Sequence, residues 1–208
     1  MEKFKLGFMQ GRLVNTEKKG RIQYFPAKNL KKEIQIAHKI GLDCMEWTID
    51  YDNIKKNPIY NGKIEPVKQI LRKNKIKVSS ITLDSFMQKP FFKEHGNKKK
   101  ILIDDLIKIN INGKKIGINK IIIPLVDNSS IKNLNEEQIL IKELKIISKK
   151  FPLIYFLFES DFKPQRLLSF IKKFKSKNFG INYDTGNSAG LNYDFDKEKI
   201  YFKFVKNI

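Results

Sequence analysis

Cysteine and histidine are nearly missing from this chain: one Cys and two His in 208 residues. A single cysteine excludes an internal disulfide framework and a Cys-based zinc knuckle. Long apolar runs are missing too. The longest, Leu153 to Phe158, is far below the roughly 20 residues of a membrane span. The amino-terminal stretch MEKFKLGFMQGR has no apolar stretch of signal-peptide length. A soluble chain in a reducing, cytoplasmic location is expected, with no membrane partner. No Gly-x-Gly-x-x-Gly follows the first apolar run and no P-loop occurs, which weakens an open nucleotide-binding sheet. Arginine is scarce as well, at 4 against 38 lysines.

What is present is apolar and basic. Hydrophobic residues make up 41% of the chain, with 16 Phe, enough for a sizeable core and too many for a disordered tail. The length suits one domain or two, and residues 1–208 are read as one. The net charge is +20. Readers of nucleic acid lean on arginine for bidentate contacts, whereas these lysines are spread over nearly every helical segment. The charge is read as solvated helix faces. A nucleic-acid partner is not favoured, although a basic field suits phosphorylated substrates.

Short apolar runs alternate with amphipathic segments. Phe4–Met9, Cys44–Ile49, Val78–Leu83, Ile121–Val126, Leu153–Phe158 and Phe179–Tyr183 are near-continuous and read as strands buried on both faces. Leu30, Ile34 and Ala37 share one helical face. So do Leu102, Leu106 and Ile109, then Leu140, Leu144 and Ile147, then Leu167, Ile171 and Phe174. Asn135 with Gln138 resembles a capping box. Pro164 suits a first helical turn after Asp161. Gly41 and Gly117 sit where helices should end, and Gly113 conflicts mildly with the helix around it. Six β-α units result, and Phe204–Ile208 reads as a helix end entering a seventh strand. The expected fold is a parallel α/β barrel of the (β/α)8 type, incomplete at its carboxyl end.

Chemistry in such folds collects at the carboxyl ends of the strands. Those ends carry Gln10 and Arg12, then Glu46, Asp84, Asp127, Glu159 with Asp161, and Asp184 with Asn187. Carboxylates gathered at one end repel unless a cation sits among them. Glu159 and Asp184, on neighbouring strands, could share one divalent ion, and oxygen donors suit Mg²⁺ or Mn²⁺. Asp127 and Asp161 are equally readable as helix caps, and Glu46 as the partner of a cation such as Arg12. His38 and His95 read as surface or packing residues, and Cys44 as a small buried hydrophobe.

The stretches Phe8–Leu13, Ile22–Pro26, Glu46-Trp47, Ile123–Ser129 and Asn182–Ser188 resemble sugar-phosphate isomerase/epimerase-like proteins of the xylose-isomerase-like TIM barrel superfamily. The resemblance runs over essentially the whole chain. It implies a divalent metal held by Glu, Asp, His and Glu from the later strands, with Glu159 as first ligand and Asp184 as second. Mn²⁺ or Mg²⁺ is implied first, and Co²⁺ or Zn²⁺ next. The His and the last Glu have no counterpart before Ile208, so the chain is read as truncated, with activity expected of a full-length form. The implied reaction is isomerisation or epimerisation of a keto-sugar or sugar phosphate by α-proton abstraction through an enediolate. Glu159 would be the acid/base, and Gln10, Arg12, Glu46, Asp84, Asp127 and Asn187 the substrate contacts. Three alternatives stand beside it: a metal-dependent endonuclease-like phosphoesterase of the same superfamily, a polyol-ketone dehydratase, and an inactive truncated barrel. The phosphoesterase branch is rich in histidine ligands, which this chain lacks. A homo-oligomer stays open.

Overall fold

Apolar runs without alternation form strands wherever both faces are covered. The computed structural model describes residues 5–15 and 24–208 and bears this out. The strands are β1 (Gly7–Met9), β2 (Cys44–Thr48), β3 (Lys77–Thr82), β4 (Lys120–Leu125), β5 (Tyr155–Ser160), β6 (Phe179–Asn182) and β7 (Val205–Asn207). The α-helices are α1 (Leu30–Lys39), α2 (Pro58–Asn61), α3 (Glu65–Lys73), α4 (Asp84–Gln88), α5 (Gly96–Lys114), α6 (Leu134–Lys150), α7 (Pro164–Lys172), α8 (Thr185–Gly190) and α9 (Phe195–Glu198). The chain divides into two compact units. One holds the described residues up to Ser85 with Asp105–Asn119, the other Phe86–Asp104 with Lys120–Ile208. In the first, β1, β2 and β3 pair in parallel in chain order. In the second, β4, β5, β6 and β7 do the same. Seven parallel strands in chain order, with helices between them, are an incomplete α/β TIM barrel. No helix among the described residues is long and apolar enough to cross a membrane.

Several boundaries differ from the sequence reading for physical reasons. β5 begins at Tyr155, because Leu153 is 73% exposed in the turn before it, and the strand runs on to include Glu159. The expected seventh strand is β7. Phe4, expected to open β1, lies outside the described residues. Helix α3 had no assigned periodicity, yet Ile64, Val67 and Leu71 form its buried stripe. The capping box of α6 sits two residues earlier than Asn135. The Asn133 side chain accepts from the Glu136 N–H at 3.0 Å, and Glu136 reaches back to the Lys132 N–H at 2.8 Å. Pro164 does open α7, whose N-cap is Lys163. Asp161 is therefore not the cap; its carboxylate accepts from Ser130 Oγ at 2.8 Å.

The conflict at Gly113 resolves in packing. A Cβ there would lie 3.1 Å from the Ile81 side chain, so α5 approaches β3 too closely for any larger residue. The first unit packs Phe25 on Trp47, whose Nε1–H donates to Asn57 Oδ1 at 3.1 Å. The second unit explains much of the phenylalanine content. Phe174 lies 4.2 Å from Phe179, 5.0 Å from Phe158 and 5.4 Å from Phe170, all four rings buried between β5, β6 and α7. Each such pair adds about 0.5–1.5 kcal/mol beyond its buried area.

Candidate active site

In the first unit, the residues after β1 and at the end of β2 turn toward each other. Gln10 is fully buried; its Oε1 accepts from the Thr48 N–H at 3.0 Å, and its Nε2 has no hydrogen-bond partner. Gly11 takes φ +93°, and a Cβ there would collide with the Tyr24 backbone. Its N–H and that of Leu13 donate to Glu33 Oε1, at 2.7 and 3.2 Å. Between them Arg12 is exposed, with Nη2 3.7 Å from Met9 Sδ. Glu46 is half-buried, and its Oε1 accepts from Thr82 Oγ1 at 2.5 Å. The β2–β3 register shifts at Met45/Glu46, so Glu46 faces Ser80 rather than Ser79. Bulges of this kind re-aim side chains beside functional sites. Asp84 is buried at the start of α4. Of the family-like stretch Ile22–Pro26, Ile22 and Gln23 lie outside the described residues.

In the second unit, Glu159 stands one residue before the end of β5. Its two oxygens are held by different carboxamides. Asn187 Nδ2 donates to Oε1 at 2.7 Å and Asn182 Nδ2 to Oε2 at 2.9 Å. Charge-assisted bonds like these fix the plane of the carboxylate. Asp184 follows β6 and caps α8, its Oδ1 accepting from the Asn187 N–H at 2.8 Å. Asn187 therefore bridges the two expected ligands, by its side chain to Glu159 and by its backbone to Asp184. Asn182 is itself oriented: its Oδ1 accepts from Asn207 Nδ2 at 2.7 Å, and Asn207 Oδ1 accepts from Lys120 Nζ at 3.0 Å. Asp127 is exposed at φ +51°, opening a short 3₁₀ turn after β4.

Behind Asp184 lies a network the sequence did not reveal. Glu198 is buried, and three hydroxyls donate to it: Tyr183 at 2.7 Å, Ser188 at 2.6 Å and Tyr201 at 2.7 Å. Burial first, then the Glu198 carboxylate, pushes the Tyr201 hydroxyl well above the usual phenol range. Burial also leads the rise at Tyr183. Glu198 lies fourteen positions beyond Asp184 with no local pattern to mark it. Asn182 stood within a recognised stretch but was given no role.

Glu159, Asp184 and Glu198 line a hollow of about 20 Å³ together with Asn182, Asn187 and Ser188. That is room for a single water-sized or ion-sized group. Among the described residues, no group of three or more His, Cys, Asp or Glu forms a metal-ligand set. Two carboxylates still fit a hard divalent cation, because Mg²⁺ keeps several waters and binds through one or two carboxylates plus substrate. His38 and His95 are exposed.

No protein-family model matches the sequence, and no curated protein does. Solved structures match the fold over nearly the whole chain. A xylose isomerase-like TIM barrel protein from Mycobacterium smegmatis, in complex with magnesium, has TM-score 0.69 at 13% identity, covering 97% of this chain and 72% of that one. D-psicose 3-epimerase, solved in the presence of D-fructose, has TM-score 0.75 at 13% identity, covering 98% and 72%. A sugar phosphate isomerase/epimerase from Parabacteroides distasonis has TM-score 0.66 at 11% identity, covering 97% and 73%. At these identities the likeness is one of fold.

Proposed function

We propose that this protein is a divalent-metal-dependent isomerase or epimerase of a keto-sugar or sugar phosphate. The observation that carries the reading is Asn187 joining Glu159 and Asp184 around an ion-sized hollow. The fold shared with D-psicose 3-epimerase and with a sugar phosphate isomerase/epimerase supports the substrate class. The magnesium in the Mycobacterium smegmatis neighbour supports the cofactor class. Glu159 and Asp184 would hold Mg²⁺ or Mn²⁺, which when bound polarises a substrate carbonyl as a Lewis acid.

The chain's own residues do the rest. Glu159 removes the proton from the carbon next to the carbonyl, and the C–H electron pair moves into an enediolate. Each Glu159 oxygen receives one amide N–H, from Asn187 and from Asn182. Return of the proton from Glu159 to the neighbouring carbon gives the isomer; the epimer requires a second acid to protonate the opposite face of the enediolate. Asn182 and Asn187 keep the carboxylate in place through both steps. Asp127, just after β4, is proposed as a substrate contact. Gln10 acts through the Thr48 N–H it holds.

The test is deuterium exchange from D₂O into the carbon next to the carbonyl of a ketohexose, with Mg²⁺ or Mn²⁺ supplied. Glu159→Gln should abolish exchange while leaving the melting temperature near that of the parent. Exchange that survives the substitution unchanged would remove Glu159 as the base.

A further inference from the structure

The first unit contains a second cavity, of about 500 Å³, far larger than the hollow beside Glu159. Lys77, the first residue of β3, lines it, whereas Thr82, which donates to Glu46, is the last residue of that strand. The cavity therefore opens at the amino end of β3, opposite the strand end that carries Glu46. Its floor is apolar: Leu71, Ile76, Val78 and Ile116. Around the floor stand Lys68, Arg72, Lys75, Lys77 and Lys115, and no Asp or Glu is among the lining residues.

Helix ends explain part of this charge. Arg72 and Lys75 sit at the carboxyl end of α3 and Lys115 just past α5, where the helix dipole favours cations. It does not explain Lys77, which lies in a strand, nor an apolar hollow ringed by cations. A few lysines elsewhere pair with carboxylates, as in Lys99–Glu143, Lys100–Asp104 and Lys199–Asp196. Around this cavity, among the described residues, only Lys68 has such a partner, Glu65 at 3.7 Å, and Lys115 donates to Asn112 at 3.1 Å. Like charges held around one concavity repel, and a bound anion relieves them.

We propose that this cavity binds an organic polyphosphate of the nucleoside di- or triphosphate class. The volume lies in the range of small-molecule sites, roughly 300–1,000 Å³. The floor takes an apolar ring, and the cationic rim takes several phosphate charges. Arg72 offers a planar fork for bidentate phosphate contact, and the lysines act as point charges. A single carboxylate would leave most of the rim uncompensated. This site is separate from the proposed isomerase centre, and its occupancy does not depend on that reading.

Calorimetric titration with ATP, adenosine and inorganic tripolyphosphate tests the proposal. ATP should bind, and adenosine or tripolyphosphate should each bind at least about tenfold more weakly, since each keeps only half of the recognition. Arg72→Gln with Lys77→Gln should weaken ATP at least about tenfold. Lys149→Gln with Lys150→Gln, at the exposed end of α6, should change it less than about twofold. If the first pair fails to fold, Lys68→Gln with Lys115→Gln replaces it with the same expectation. The proposal is overturned if ATP does not bind, if tripolyphosphate binds as tightly as ATP, or if the α6 pair weakens binding equally. It is also overturned if a 20-nucleotide single strand displaces ATP through the same residues, which would make the patch a nucleic-acid footprint.

Discussion

Glu33 provides a sharp test of how burial acts in this fold. It lies in α1 with no exposed surface, its Oε1 accepting from the Gly11 and Leu13 N–H groups and its Oε2 without a partner. Burial outweighs the two backbone hydrogen bonds and pushes its carboxyl up from 4.5 to about 7. The unfolded chain releases this proton near 4.5, so between the two values the folded state binds more protons. The stability contributed by the neutral carboxyl is fully present below pH 4.5, falls as pH rises to about 7, and stays lost above. A displacement of this size corresponds to about 3 kcal/mol. Glu33→Gln keeps an acceptor for both N–H groups and carries no charge. Its amide donor, like the hydroxyl of the protonated acid, meets no partner. The variant should match the parent near pH 4 and exceed it by about 3 kcal/mol near pH 8. Urea denaturation from pH 4 to 8 measures this, and the difference between the two proteins cancels every other carboxylate. A difference that stays flat across that range would refute the argument.

Two further substitutions probe the second unit. Glu198→Ala strands the buried Ser188 and Tyr201 hydroxyls and the half-buried Tyr183 hydroxyl and should cost about 3–5 kcal/mol, while Glu198→Gln, still an acceptor, should cost less than half of that. Chemical denaturation of both variants checks the ordering, and equal losses would deny the hydroxyl network its role. Phe174→Ala empties the centre of a four-phenylalanine cluster and should cost about 3–5 kcal/mol, read as a lowered denaturation midpoint with an unchanged slope.

The elements were legible in the sequence because periodicity records which faces are covered. The runs around Met45, Ile122, Phe156 and Ile181 became buried strands, and the stripes of α1, α5, α6 and α7 became buried helix faces. Gly41 and Gly117, at φ +82° and +96°, end their helices as their lack of a Cβ suggested. The strand ends also placed Glu159 and Asp184 near one another, since adjacent parallel strands bring their last residues together. Local pattern went no further. The α6 cap fell on Asn133 rather than Asn135 because the chain turned in two residues sooner. The Asn182 and Asn187 grip on Glu159 spans 23 and 28 positions, and Glu33 reaches Gly11 across 22. Such bonds depend on where whole strands and helices stop against one another, and neighbouring residues carry no trace of that. The basic cavity is of the same kind: α3, β3 and the turn after α5 each supply one or more cations, and only their packing encloses an apolar floor between them. The sequence by itself determined which segments form the strands and most of the longer helices, and to within a residue or two where each strand stops, because those follow from spacing along the chain. The tertiary structure decided which side chains meet, because that follows from distances no spacing records.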